Sequence, residues 1–261
     1  MSYLVGIALD HLALAELTDL LPRLGANDAA LLDSPDVRDL VGRPLDLLPA
    51  LYGEEAFGLS TFAGFADGRM TTHEFMGPDQ AGGACENFDV GPGFRVFHLP
   101  GDLDGYRRMM RAFQQLAADR EASTNYAQTR RRAEALEKSL ADRRPGVLSS
   151  LVLPAITSVF QARARSETLH RAAAVLVAAT KQRLASGVLP LEPAAFRDTP
   201  PFMLPADPFA EGGKPLVMKR GDNGLSVYSI GPDGGDDGGP PPWRDSAPDG
   251  NDDVGLVMTI P

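Results

Sequence analysis

The sequence predicts an α+β fold, with a mainly helical N-terminal part and a long helix packed on a small three-stranded antiparallel sheet at the C-terminus. Three observations predict this class. Apolar residues recur at helical spacing through most of residues 1–186. Between residues 215 and 260 the pattern changes to short β-rich runs. The pair Asn223-Gly224 separates the first two of these runs, and Asn-Gly is a strong hairpin signal.

Four helices are predicted in the N-terminal part, together with one short extended piece. Ser34-Pro35 supplies a cap followed by proline at the first helical position. The fourth helix becomes polar in its second half, and a group of phenylalanines that includes Phe57 is interpreted as core. The predicted helices cover residues 3–22, 35–49, 54–66 and about 103–143, the second is expected to kink or break at Pro44, and the extended piece covers Phe94 to His98.

The C-terminal part begins with a long helix, predicted from about Ser149 to Ser186 and closed by Gly187 as a C-cap signal. Three strands follow, at residues 215–219, 225–230 and 254–260. Because so small a sheet is marginally stable alone, we expect it to lie on the long helix. The sequence therefore predicts two domains, a helical domain at 1–147 and a helix-plus-sheet domain at 148–261.

The negative charge of the chain is concentrated in its last fifth. The 261 residues include 25 Lys+Arg and 35 Asp+Glu, a net charge of −10. Residues 207–261 alone hold nine Asp and one Glu against two Lys and two Arg. The chain thus lacks the surplus of basic residues with which nucleic-acid binders neutralise phosphates. The functional feature is therefore expected in the acidic segment.

Other simple classes are excluded by cysteine content and hydropathy. Cys85 is the only cysteine, so the chain forms no internal disulfide and no cysteine-based zinc cluster. No apolar run reaches the 18 residues or more that a membrane-spanning helix needs. No basic-then-apolar signal peptide opens the sequence.

A series of short motifs in the C-terminal domain resembles the soluble part of the major pseudopilin of type II secretion, and also the ending of uncharacterised bacterial secreted proteins. Their order and rough spacing carry the resemblance. The motifs are Ser150-Leu-Val-Leu-Pro154, Ala185-Ser-Gly-Val-Leu-Pro190, Leu204-Pro-Ala-Asp-Pro-Phe209, Gly213-Lys-Pro-Leu216, Val227-Tyr-Ser-Ile-Gly-Pro-Asp-Gly234 and Asn251-Asp-Asp-Val254.

The resemblance implies that calcium binds in the acidic loop between the second and third strands. Calcium takes six to eight oxygen ligands in a flexible geometry, and glycines allow backbone carbonyls to turn toward an ion. The alternative interpretation is a solvated acidic loop. Asp236, Asp237, Asp245 and Asp249 are interpreted as solvated in either case. The ligands that the resemblance implies are the carboxylates of Asp233, Asp252 and Asp253, the carbonyl of Ile230 and a carbonyl near Asn251.

The chain departs from the pseudopilin family in front of this domain. Residues 1–147 are helical and lack the leader peptide and apolar segment of the family. We therefore expect a non-enzymatic, periplasmic or extracellular structural or interaction protein, with or without a membrane anchor outside this sequence. Its partner would be a protein rather than a nucleic acid, and its oligomeric state stays open.

Two other function classes are compatible with the sequence. One is a hydrolase or another enzyme with its site in the N-terminal helical domain, where His11, His73, Glu74 and His98 are the candidates. Such an enzyme could also use a metal site formed by two of the four histidines of the chain, which are His11, His73, His98 and His170. The other is a helical scaffold with an inert acidic tail.

Overall fold

A computed structural model of the chain confirms the α+β class, with helices throughout and one three-stranded antiparallel sheet near the C-terminus. The structure describes residues 2–43, 46–71, 91–119, 125–141, 146–196, 202–221, 224–240 and 252–259. Within them the α-helices are α1 (Ser2–Leu20), α2 (Pro35–Gly42), α3 (Leu48–Ala66), α4 (Pro92–Phe97), α5 (Leu99–Ala118), α6 (Tyr126–Ala141) and α7 (Val147–Ser186). Short 3₁₀ helices lie at Leu21–Arg23, Ala26–Asp33, Pro193–Ala195 and Glu211–Gly213.

The sheet consists of β1 (Val217–Gly221), β2 (Gly224–Ser229) and β3 (Val254–Thr259), with β2 in the centre. In its register Met218 faces Val227, which faces Leu256. The alternating residues Leu225, Val227, Leu256 and Met258 are buried in the core, and Tyr228 on the other face of β2 is buried as well. The predicted hairpin residue Asn223 lies outside the described residues.

The chain divides into two compact units. The first comprises residues 1–45, 124–129 and 159–261, and its core joins α1, α7 and the sheet. Thr180 Oγ1 on α7 lies 3.6 Å from Met258 Sδ on β3, which places the long helix on the sheet. Arg183 Nη2 donates to the carbonyls of Leu21 and Leu24, both at 3.0 Å, at the end of α1. Residues from both ends of the sequence therefore share one core, and the predicted division at residues 147 and 148 stays a prediction.

The second unit comprises residues 46–123 and 130–158. Its helices α3 and α5 approach closely at Gly58, where an added Cβ would lie 2.1 Å from Tyr106 Oη. That hydroxyl donates to the Glu54 carbonyl at 2.8 Å, and the rings of Phe62 and Tyr106 are 5.4 Å apart. A glycine is needed where two helices come this close.

Three predictions in the helical part are wrong. Phe94 to Phe97 lie in helix α4 rather than in an extended piece, because Pro92 stands where proline starts a helix. The predicted helix at 103–143 is interrupted after α5. Asn125 begins α6 as its N-cap, and its Oδ1 accepts the Gln128 N–H at 3.0 Å. Phe57 is 65 % exposed, because α3 buries the face that carries Gly58, Phe62 and Phe65.

Candidate calcium site

The acidic end of the sheet is organised around Asp207, a carboxylate that the sequence did not single out. Asp207 is buried, and its two oxygens accept three hydrogen bonds. Oδ1 accepts from Ser229 Oγ at 2.6 Å and from the Phe209 N–H at 2.8 Å, and Oδ2 accepts from the Ile230 N–H at 3.2 Å. Because each buried donor finds an acceptor, the end of β2 is fixed in place.

The segment that carries Asp207 is itself held on both sides. The Asp207 N–H donates to the Lys214 carbonyl at 2.7 Å, and the Leu216 N–H donates to the Pro205 carbonyl at 2.9 Å. On the other side, the N-terminus of α6 contacts the segment through a Tyr126 N–H bond to the Pro208 carbonyl at 2.6 Å. The segment 204–209 is thus held by backbone hydrogen bonds to residues 214–216 and to the start of α6.

Gly231 brings the two ends of the acidic loop together. Its φ is +72°, a left-handed conformation that favours glycine. A Cβ at this position would lie 2.0 Å from the Asp252 carbonyl oxygen. The turn after β2 therefore contacts the backbone just before β3, and the predicted ligand residues Ile230 and Asp252 lie in neighbouring segments.

Among the loop residues that the structure describes, Asp253 is the buried carboxylate, with 8 % of the residue exposed. Burial raises the pKa of Asp253 above its ordinary value of 3.8, and the charges of Asp236 and Asp237 raise it further. The Gly239 N–H, which donates to Asp253 Oδ2 at 2.7 Å, and the Asp237 N–H act in the opposite direction on this pKa. A carboxylate whose ionised form is disfavoured by neighbouring carboxylates is a group that a cation would stabilise.

The two neighbouring aspartates are positioned by the sheet and by the loop backbone. Asp236 Oδ1 accepts from the Tyr228 hydroxyl at 3.0 Å and from the Gly238 N–H at 3.0 Å. Asp237 Oδ2 accepts from the Asp252 N–H at 3.1 Å. Asp237 is thereby linked to the backbone of Asp252, whereas Asp236 is held by β2 and by its own loop. The sequence predicts that Asp236 and Asp237 are solvated, and both are exposed, although their carboxylates also accept these hydrogen bonds.

The predicted ligand residues lie in different environments. Ile230 and Asp253 lie at the ends of β2 and β3, and Asp252 is exposed beside Gly231. Asp233 is exposed, and its Oδ1 accepts the Gly235 N–H at 3.0 Å in a tight turn. Asn251 lies outside the described residues. Asp253 is thus the one predicted carboxylate that the described residues bury among other acidic groups.

The chemistry of these donors fits calcium, because all of them are hard oxygens on glycine-rich backbone. In the part of the chain that the structure describes, no three His, Cys, Asp or Glu side chains are grouped closely enough to hold a metal ion. Carbonyl oxygens such as that of Ile230, together with Asn251, would therefore have to supply part of the coordination shell.

Of the histidines considered for an enzymatic site, the structure describes His11 and His98. His11 lies on α1 in the first unit, and His98 is exposed at the start of α5 in the second unit, where it stacks on Phe94. His73 and Glu74 lie outside the described residues. His170 on α7 neighbours His11, a pairing that the sequence alone did not predict.

Comparisons with protein-family models, with curated proteins and with solved structures gave no match. The resemblance to pseudopilins therefore depends on the motifs in the sequence. In the described residues no helix combines the length and the apolar content required to cross a membrane.

Proposed function

We propose that this protein is a non-enzymatic, extracytoplasmic interaction protein whose pseudopilin-like C-terminal segment is stabilised by calcium. The ion would bind in the loop between β2 and β3. Asp252, Asp253 and the Ile230 carbonyl would serve as ligands, together with Asp233 and Asn251. The helices of the N-terminal part would contact a protein partner.

The observation that carries this proposal is the environment of Asp253. Its carboxyl is buried at the edge of the sheet, and the charges of Asp236 and Asp237 oppose its ionisation. A divalent cation would remove this repulsion and compensate for the lost hydration of the carboxylate. No such gain is expected from an inert acidic tail, whose carboxylates would be exposed and separately solvated.

The hydrogen bonds of Asp207 support the same proposal, because one of them holds Ile230 at the end of β2. The Gly231 N–H belongs to the peptide unit that carries the Ile230 carbonyl, and it donates to Ser229 Oγ at 3.1 Å, so this carbonyl is held at the end of β2. Calcium sites commonly combine such carbonyls with carboxylates. A prepositioned carbonyl lowers the conformational entropy that binding costs.

The expected gain in stability follows from mass action. Extracellular calcium modules often bind with dissociation constants of about 10⁻⁴–10⁻³ M. Calcium at ten times the dissociation constant would stabilise the native state by about 1.4 kcal/mol. An effect of this size shifts a melting temperature by several degrees.

The test is the thermal unfolding of the full chain in millimolar calcium, in millimolar magnesium and in excess chelator. We expect the highest melting temperature in calcium and nearly equal, lower values in magnesium and chelator. The Asp252→Ala variant should melt in calcium as the wild type melts in chelator. Asp39→Ala, which removes an exposed aspartate far from the loop in sequence, is the control and should keep the calcium response. Equal melting of the wild type in calcium and chelator would refute the proposal.

A further inference from the structure

Two histidines, one buried and one partly buried, lie close together where α1 and α2 contact α7. His170, on α7, has 5 % of its side chain exposed, and His11, on α1, is partly buried. The Nε2 atoms of both rings are buried and make no hydrogen bond. Buried polar atoms without partners are uncommon in native proteins, and each one needs a physical explanation.

The hydrogen bond on the other side of the His170 ring fixes its tautomer. His170 Nδ1 lies 2.6 Å from the Leu40 carbonyl oxygen on α2. Since a carbonyl can only accept, Nδ1 carries the proton, and the Nε2 atom of the neutral ring is a bare lone pair. A second proton would therefore have to enter at Nε2, inside the protein.

The charged groups around the pair compensate such a proton poorly. From α1, Asp10 Oδ2 lies 3.9 Å from His170 Nε2, beyond hydrogen-bond distance. The other oxygen of Asp10 is engaged by Arg43, which follows α2, at 2.8 Å. On α7, Glu167 favours a charge on His170, whereas Arg165 opposes a charge on His11, and each imidazolium would face the other ring.

Burial has the largest effect on the pKa values of both histidines. It lowers the pKa of His170 below the ordinary value of 6.5, and it outweighs both the Leu40 hydrogen bond and the Asp10 charge. Burial also lowers the pKa of His11, and the neighbouring His170 lowers it further. Both rings are therefore neutral in the native protein at pH 7.

We propose that the contact of α1 and α2 with α7 is an acid-sensitive joint, which weakens when His11 and His170 take up protons in mild acid. The unfolded chain binds these protons near pH 6.5, whereas the folded chain resists them until a lower pH. The stability that the two neutral rings contribute is therefore fully present above pH 6.5, and it is lost as the pH falls below that value. Each histidine can change the unfolding equilibrium constant by at most about tenfold per pH unit.

The joint does not involve the acidic loop, so it can be tested separately from the calcium proposal. We would measure hydrogen exchange of α1 and α2 peptides at pH 7.5 and 5.5, corrected for the intrinsic pH dependence of exchange, with calcium held constant. In the wild type, protection of these peptides should fall at pH 5.5. In the double variant His11→Gln/His170→Gln, the change with pH should disappear.

A control variant and a direct titration complete the experiment. His98→Gln removes an exposed histidine and should keep the wild-type response. In the wild type, the imidazole Cε1–H resonances should show His11 and His170 titrating below pH 6.5, a measurement that needs no variant. Titration of both rings at or above pH 6.5, or an unchanged pH response in the double variant, would overturn the proposal.

Discussion

Two buried aspartates lie at the same end of the sheet, and their surroundings are opposite. Asp207 accepts hydrogen bonds from Ser229, Phe209 and Ile230, and none of these donors is charged. Asp253 accepts hydrogen bonds from the backbone N–H groups of Gly239 and Asp237, and it faces the charges of Asp236 and Asp237. The fold alone supplies the hydrogen bonds of the Asp207 carboxylate. The surroundings of Asp253 disfavour its charge.

This difference distinguishes a structural carboxylate from a candidate ligand. Burial by itself does not identify a site, since both residues are buried. What matters is whether neighbouring charges oppose the ionised carboxylate, in addition to the donors that the fold supplies. The following predictions test whether the two aspartates differ in this way.

The largest effect is expected from Asp207→Ala. The substitution leaves the Ser229 hydroxyl and two backbone N–H groups without their acceptor in a buried place. Because each unsatisfied buried donor costs about 1–3 kcal/mol, the free energy of unfolding should fall by about 3–5 kcal/mol. Urea unfolding, with and without calcium, would measure the change.

Asp207→Asn is the control for this change, since its amide oxygen can still accept while the charge is removed. It should lose clearly less stability than Asp207→Ala. A loss below about 1 kcal/mol for Asp207→Ala would contradict the structural role of this carboxylate.

The next effect concerns Gly231, which lies between the two aspartates. In Gly231→Ala the new Cβ would meet the Asp252 carbonyl, in addition to the strain of a positive φ. We expect a loss of about 2–4 kcal/mol and weaker calcium binding. Gly212→Ala is a matched control, because Gly212 also has a φ of +72° but an added Cβ would contact nothing within 4 Å. If the two variants lost equal stability, the close approach would have no energetic weight.

A smaller effect is expected from Tyr228→Phe, which removes the hydroxyl that donates to Asp236. The loss should be about 0.5–1.5 kcal/mol, the usual contribution of one hydrogen bond. Burial, followed by the hydrogen bond to Asp236, raises the pKa of Tyr228, so the hydroxyl stays protonated throughout the neutral range. Denaturation at pH 7 would measure the loss, and full wild-type stability would show that Asp236 is not positioned by the sheet.

The smallest effect, of opposite sign, is expected from Asp253→Asn without calcium. The raised pKa means that the folded chain keeps a proton on Asp253 that the unfolded chain loses near pH 3.8. The wild type should therefore lose stability as the pH rises from 3.8 through the folded pKa, and the variant should lack this loss. In chelator at pH 7 the variant should be as stable as the wild type or slightly more stable. A marked destabilisation in chelator would place Asp253 in the same structural class as Asp207.

The sequence was sufficient for the parts of the fold that depend on local pattern. Strand alternation predicted the sheet, and the helical stripe ending at Gly187 predicted α7. The marginal stability of so small a sheet predicted that it lies on this helix. The sequence predicted one helix in place of α5 and α6, because neither glycine nor proline lies between them. Asn125 is nevertheless a residue type that commonly caps helices. The exposure of Phe57 depends on which face of α3 packs on α5, and a single helical stripe does not determine this.

The candidate site was only partly predictable, for a physical reason. The acidic composition of the loop located it, and the motifs implied its ligands. The pairing of Asp207 with Ser229 spans 22 residues, and the approach of Gly231 to Asp252 crosses the whole loop. The neighbours of a buried charge are set by such long-range contacts. The same holds for His11 and His170, which meet only because α1 packs beside α7.

The most direct test of the central claim is calcium binding measured by equilibrium dialysis on the full chain at pH 7.5. The wild type should bind one calcium ion per chain with a dissociation constant in the millimolar range or tighter. Asp39→Ala should bind equally, and the double variant Asp252→Ala/Asp253→Asn should show no saturable binding. Absence of binding to the wild type at millimolar calcium, or equal binding by the double variant, would contradict the proposed calcium site.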